Sequence, residues 1–296
     1  MRVFITGGGG YIGSALVPAL VAAGHEVTAL ARNDDDAYKL AAAGAIPVAG
    51  ELSDVSMLRA AARAADGVIH LAPSSPDVDL AASEAMQFEL GDGPFVFTGG
   101  VWVYGNTHGV VDEDAPLAPP PIVAWRVTNT DVIMRSAERG GRPVLVMPGA
   151  VYGHGRGIIQ ATMVEPAKAQ GYASYIGDGA NHMSLVHVRD IAGLYVLALN
   201  ASPGSRYAGV GDSATTMREL AKAASTSANA GGVTRSITIE DARGTFGPLA
   251  DALALDQQFT SQRATDELGW IPTGPSPVDY LLAQPRPTAF DASASF

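Results

Sequence analysis

The chain has 296 residues, enough for one large domain or two joined ones with an ample core. Its 47% hydrophobic and 17% charged residues are a globular balance, and a net charge of -11 repels phosphate backbones, which argues against a nucleic-acid partner. There is no cysteine, so disulfides, thiolate nucleophiles and cysteine-held metals are excluded and a cytoplasmic location is expected.

The opening MRVFITGGGG runs a β-branched segment straight into a glycine turn, without the layout of a signal peptide. No apolar run reaches membrane-spanning length, so no membrane partner is expected. Strands are predicted at 2–6, 26–31, 45–49, 67–72, 95–98 and 142–147, with helices such as 11–24 and 54–65 between them. These strand segments are continuously apolar rather than alternating. That pattern marks a sheet buried on both faces, hence parallel strands with helical crossovers, a doubly wound Rossmann-type α/β fold. After residue 148 loops lengthen and helices dominate. The expected organisation is a dinucleotide-binding domain over 1–150, a small C-terminal substrate-binding cap over 151–282 that interleaves with the sheet, and a flexible tail over 283–296 rich in turn-forming residues.

The first strand ends in TGGGGYIGS. Either Gly8, Gly10 and Gly13 or Gly7, Gly10 and Gly13 fit a dinucleotide fingerprint. Glycine permits the tight turn, lets a pyrophosphate approach the backbone, and lets the following helix pack close to the strand. The helix that begins near Tyr11 and Ile12 then offers free N–H groups and a partial positive charge. At the end of the second strand an acidic residue would favour NAD, but the sequence reads Leu30-Ala31-Arg32-Asn33. Arg32 suits a 2′-phosphate, so NADP is the expected cofactor and NAD the other candidate. Asp34, Asp35 and Asp36 are read as the start of the next helix. Glu51 and Leu52 are placed beside the adenine, Asp54 as a helix cap, and Leu71 and Ala72 along the cofactor. His70 is read as a packed strand histidine.

The chain resembles the extended and atypical short-chain dehydrogenases/reductases, the epimerase/dehydratase-like group. The resemblance rests on TGGGGYIG (6–13), GELSD (50–54), VIHLA (68–72), VYG (103–105) with DEDAPLAPP (112–120), MPGAVYGHG (147–155) and SLVHVRDIAGLYVLAL (184–199) in that order. It implies NAD(P)-dependent hydride chemistry on an alcohol or carbonyl of a small-molecule substrate. It also implies that Pro148 and Val151 pass under the nicotinamide. In this family a tyrosine is the general acid/base, a lysine four residues later lowers its pKa, and a serine or threonine after the fifth strand orients the substrate oxygen.

Here the sequence departs from the pattern. Gly100 stands where the hydroxyl residue falls, with Thr98 two residues upstream as a substitute. The tyrosine and lysine should fall in AWRVTNTDV (124–132), yet one register gives Trp125 and Asn129, the other Arg126 and Thr130. A relocated proton donor is one answer, with Tyr104 best placed by motif and Tyr152, His108, His154 and His182 in adjoining loops. A non-redox enzyme or an NADP(H) sensor on the same scaffold is the other. Trp102, Trp125 and Tyr152 are read as substrate walls, and the helix within 120–139 as the face of a homodimer by analogy. The histidines lack metal-binding spacing, and no GxSxG turn is present.

Overall fold

The computed structural model describes residues 1–72 and 74–284. Seven parallel strands form the central sheet: β1 (Arg2–Thr6), β2 (Glu26–Ala31), β3 (Ile46–Ala49), β4 (Gly67–His70), β5 (Pro94–Thr98), β6 (Arg142–Pro148) and β7 (Arg206–Gly209). Their spatial order is β7-β6-β5-β4-β1-β2-β3. The order reverses between β1 and β4, where Thr6 pairs with His70. In open sheets of this kind, ligands settle in the crevice outside the carboxyl ends at that reversal. Six strands fall where their apolar runs predict them; β7 was not read, because RYAG carries too little β-branched character to stand out.

Side chains alternate across the sheet and divide the core in two. Val3, Ile5, Val96 and Val144 face a layer made by α1 (Tyr11–Ala22) and by a helix later in the chain, Val188–Ala198. Phe4, Phe95, Phe97 and Leu145 face α3 (Val55–Ala64), α4 (Pro76–Leu90) and α5 (Trp125–Met134). Before them, α2 (Asp34–Ala42) connects β2 to β3. Both helix starts anticipated from the acidic residues form. The Asn33 side chain caps α2 by accepting the Asp36 N–H at 2.8 Å, and Asp54 caps α3 by accepting the Met57 N–H at 3.0 Å. Three aspartates in the first turn of α2 suit its dipole.

Beyond β6 the chain builds small sheets above the carboxyl edge. Leu185–His187 runs parallel to Ala150–Gly153, which pairs antiparallel with Arg156–Gly157, and Ala173–Ile176 runs parallel to Thr234–Ile237. A third core of Met163, Leu185, Met217, Leu220 and Leu281 holds these elements together. The chain also returns to the main sheet through β7. The expected flexible tail falls on 283–296, of which 285–296 lie outside the described residues. Among the described residues no helix is long and apolar enough to cross a membrane.

Candidate dinucleotide site and the rim of the sheet

A cleft of about 410 Å³ opens at the β1/β4 reversal. Gly7, Gly10, Tyr11, Ile12 and Gly13 floor it, and Arg32, Leu52, Leu71, Ala72 and Val151 complete its walls. The glycines are needed where they stand. Gly7 has φ 75°, and a Cβ there would lie 2.8 Å from the Ala72 nitrogen. A Cβ on Gly13 would lie 2.4 Å from the carbonyl oxygens of both Gly7 and Gly8, so only glycine lets α1 pack this close to the turn. No side chain caps the first turn of α1, which leaves its N–H groups free to meet an anion. The cradle therefore fits a pyrophosphate, held by backbone rather than by side chains.

Tyr11 ties this turn to the cap. Its hydroxyl donates to the Gly153 carbonyl at 2.8 Å and lies 3.1 Å from the Arg156 carbonyl, while the Arg156 guanidinium stands 5.2 Å above its ring. Burial raises its pKa, so it stays a neutral donor. At the far end of the cleft the Arg32 side chain is 74% exposed and meets the Asp36 carboxylate at 3.2 Å. Asp36 also lines the cleft. Sequence reasoning assigned Asp36 to the helix start alone; the turn of α2 brings it back beside Gly9.

Not every expected residue reaches this cleft. Glu51 is exposed, with the Ser53 hydroxyl 3.4 Å from its carboxylate, and is not on the wall. Pro148 is buried at the end of β6 beside Gly209. Its carbonyl oxygen is 3.9 Å from where a Cβ on Gly100 would stand, with nothing else within 4 Å. Gly100 therefore faces open space.

The hydroxyls offered as replacements are engaged elsewhere. Thr98 points to the α1 side of the sheet. Its hydroxyl bonds the His70 carbonyl at 2.8 Å and lies 2.8 Å from the Tyr195 hydroxyl. Tyr104 is 3% exposed and donates to the Glu113 carbonyl at 2.9 Å, with its ring edge-on to Phe259 at 4.9 Å. Burial pushes its pKa up to about 12. It is a packing tyrosine in this arrangement. Tyr152 donates to the Pro275 carbonyl at 2.6 Å and packs against the rings of His187 and Tyr280, so the residue expected as a substrate wall lies in the third core. His182 pairs with Asp256 at 2.8 Å, and His154 lies edge-on to His187 at 6.2 Å. Trp102 is half-buried in the turn that follows β5.

A polar chain runs under the rim on the α4 and α5 side. Thr6 Oγ1 lies 2.5 Å from His70 Nδ1, and His70 Nε2 lies 3.3 Å from Asp79 Oδ1. Asn129 Nδ2 donates to Asp79 Oδ2 at 3.1 Å and to the Pro76 carbonyl at 2.8 Å. Burial raises the Asp79 pKa, but the bond to His70, with its charge, and the bond from Asn129 outweigh it and leave the carboxyl lowered. Three residues before Asn129, Arg126 crosses the end of β5 and donates from Nη1 to the Thr98 carbonyl at 3.2 Å. Its guanidinium stands 4.5 Å from the Trp125 ring. Helix phase thus turns Arg126 and Asn129 inward together, a pairing that neither sequence register contained.

Comparison with known proteins agrees with this fold. The model of the NAD dependent epimerase/dehydratase family matches residues 3–208. A Schizosaccharomyces pombe protein, "Uncharacterized protein C2A9.02", is 32% identical over 92% of this chain and 95% of its own length. A 4-hydroxy-2-methyl-3-oxo-4-farnesyl-3,4-dihydroquinoline-1-oxide ketoreductase of Stigmatella aurantiaca is 28% identical over 69% of this chain and 66% of its own. Among solved structures, a dTDP-glucose 4,6-dehydratase of Streptomyces venezuelae with NAD bound superposes with a TM-score of 0.78 at 24% identity, covering 95% of each chain.

Proposed function

From the premise that this chain belongs to the NAD dependent epimerase/dehydratase family, we propose that it is an NADP-dependent oxidoreductase acting on a carbonyl or alcohol of a small or mid-sized metabolite. It works without the tyrosine and lysine that the resemblance leads one to expect between 124 and 132. The observation that carries this reading is the glycine-floored cleft at the strand reversal, with Arg32 on its wall. When bound, the nicotinamide supplies a hydride to a carbonyl carbon or accepts one from an alcohol.

The protein's own groups have distinct tasks. The Gly7–Gly13 turn and the start of α1 hold the diphosphate through N–H groups. Arg32, on an exposed side chain, leaves Asp36 to meet a 2′-phosphate, since a doubly charged phosphate outcompetes one carboxylate for a guanidinium. Leu52, Leu71 and Val151 cover the apolar parts of the cofactor. The name of the ketoreductase relative supports a ketone as substrate.

A second reading is favoured by one observation: the Thr98, Tyr104 and Tyr152 hydroxyls all bond within the protein. On that reading the protein is a non-redox enzyme or senses NADP(H). The absence of cysteine supports a reducing cytoplasm as the place of work. Phe88, 77% exposed beside the α4/α5 surface, supports a homodimer through that face.

The test is equilibrium dialysis with NADPH and NADH, followed by nicotinamide absorbance across a panel of ketones. Retention of NADPH with oxidation supports the reductase, and retention without oxidation across the panel favours the sensor or the non-redox enzyme. Failure to retain either nucleotide at millimolar concentration ends the reductase and sensor readings and leaves a non-redox enzyme with a repurposed pocket.

A further inference from the structure

Arg126 is a half-buried cation with an unusual set of neighbours. Among the described residues no carboxylate lies within 4 Å of its guanidinium, and the two Asp79 oxygens bond His70 and Asn129 instead. In a chain of net charge -11, such a cation is not short of available acids. Its position is also fixed from two sides. The Trp125 ring lies 4.5 Å from the guanidinium carbon and the Thr98 carbonyl holds Nη1. A guanidinium carries five N–H donors, and the bond to the Thr98 carbonyl uses a single nitrogen. None of its other nitrogens is a buried donor without a partner, so they reach solvent at the rim. The rim at this point is the carboxyl end of β5, where Arg126 and Gly100 line one small cavity of about 20 Å³ and a Cβ on Gly100 would meet no clash.

We propose that Arg126 binds the substrate's carbonyl oxygen and stabilises the negative charge that develops there, in place of a phenol. The proposal rests on the oxidoreductase reading above. In the reducing direction the reduced nicotinamide, when bound, would supply a hydride, which carries the two electrons, to the carbonyl carbon; the C=O π pair would move onto oxygen, and that oxygen would take a proton from solvent water. The guanidinium keeps all its protons throughout, since it does not deprotonate in proteins. Fixed N–H donors aimed at a developing oxyanion act without reorganisation, and removing one such donor typically slows turnover by about 10²–10³-fold. Trp125 and the Thr6–His70–Asp79–Asn129 chain serve as positioning groups.

Arg126→Ala and Arg126→Lys test this against two readouts. With the parent reducing a ketone from the panel, Arg126→Ala is expected to lose about 10²–10³-fold in kcat, with the Kd for NADPH unchanged and partial recovery on adding guanidinium chloride at millimolar concentration. The second readout needs no turnover. Calorimetric titration of benzoate, a carboxylate standing in for the charged oxygen, into NADP-saturated protein should bind the parent at least tenfold tighter than Arg126→Ala. Arg126→Lys should recover part of the benzoate affinity. The proposal is overturned if the parent does not bind benzoate, if Arg126→Ala binds it equally, or if the variant's main loss is in NADPH affinity, which would make Arg126 a cofactor anchor. Failure of the parent to retain NADPH is a different result: it removes the oxidoreductase reading itself.

Discussion

The glycine turn and the rim of β5 follow different rules. At the glycine turn the surface on offer is main chain, and the sequence records it as residues that have no side chain. At the rim of β5 and α5 the polar groups on offer are side chains whose direction depends on helix phase. The turn is insensitive to chemical detail but intolerant of volume: a Cβ at Gly13 would sit 2.4 Å from two carbonyl oxygens. The rim leaves room for a Cβ at Gly100, and its character depends on which polar group faces inward. A cofactor site can therefore persist while the chemistry beside it is rewritten.

Substitutions can break or sharpen that contrast. The largest effect is expected from Gly13→Val, which forces α1 away from the turn. Overpacking of this kind costs about 3 kcal/mol or more against backbone, and NADPH retention should vanish in dialysis. A variant that still binds NADPH with parental affinity would mean that the turn is not the diphosphate site.

Tyr104→Phe comes next and tests the rim by exclusion. The Glu113 carbonyl would lose its buried donor, at about 1–3 kcal/mol seen in urea denaturation, while kcat stays within about twofold. A large drop in kcat without a stability change would restore Tyr104 as the proton donor.

At the outer end of the cleft, Arg32→Asp removes one charge-assisted contact worth about 1.5–3 kcal/mol. The ratio of NADPH to NADH affinity should fall about tenfold or more, and an unchanged ratio would remove Arg32 from cofactor selection. Asp36 gives this experiment a control, because Asp36→Asn frees the Arg32 guanidinium and should move the ratio the opposite way.

The smallest effect lies far from the cleft. Arg2 pairs with Asp66 at 2.6 Å, and its backbone N–H donates to the same carboxylate at 2.7 Å. Those bonds push the Asp66 pKa down to about 2. A depressed carboxylate stabilises the fold above its unfolded pKa and loses that contribution as pH falls toward its folded value. The Tm gap between the parent and Asp66→Asn should therefore be full at about pH 6 and narrower by about pH 3. A gap that widens with acid would contradict the assignment. The pair is solvent-exposed, so the gap should also shrink in high salt.

What the sequence determined by itself was the parallel sheet, the glycine cradle and the two aspartate- and asparagine-capped helix starts. These features are local: continuous apolar runs, residues without Cβ, and side chains bonding an N–H three residues on. β7 escaped notice because its short RYAG run joins the sheet through pairing with β6, a contact 61 residues away in sequence at Arg206 and Leu145. Only the tertiary structure decided the rim. It turned the Thr98, Tyr104 and Tyr152 hydroxyls onto backbone carbonyls, brought Asp36 back to the cleft, and set Arg126 and Asn129 on one inward face of α5. Motif spacing fixes position along the chain, whereas the direction of a side chain is settled by what packs against its helix and by which distant carbonyl needs a donor.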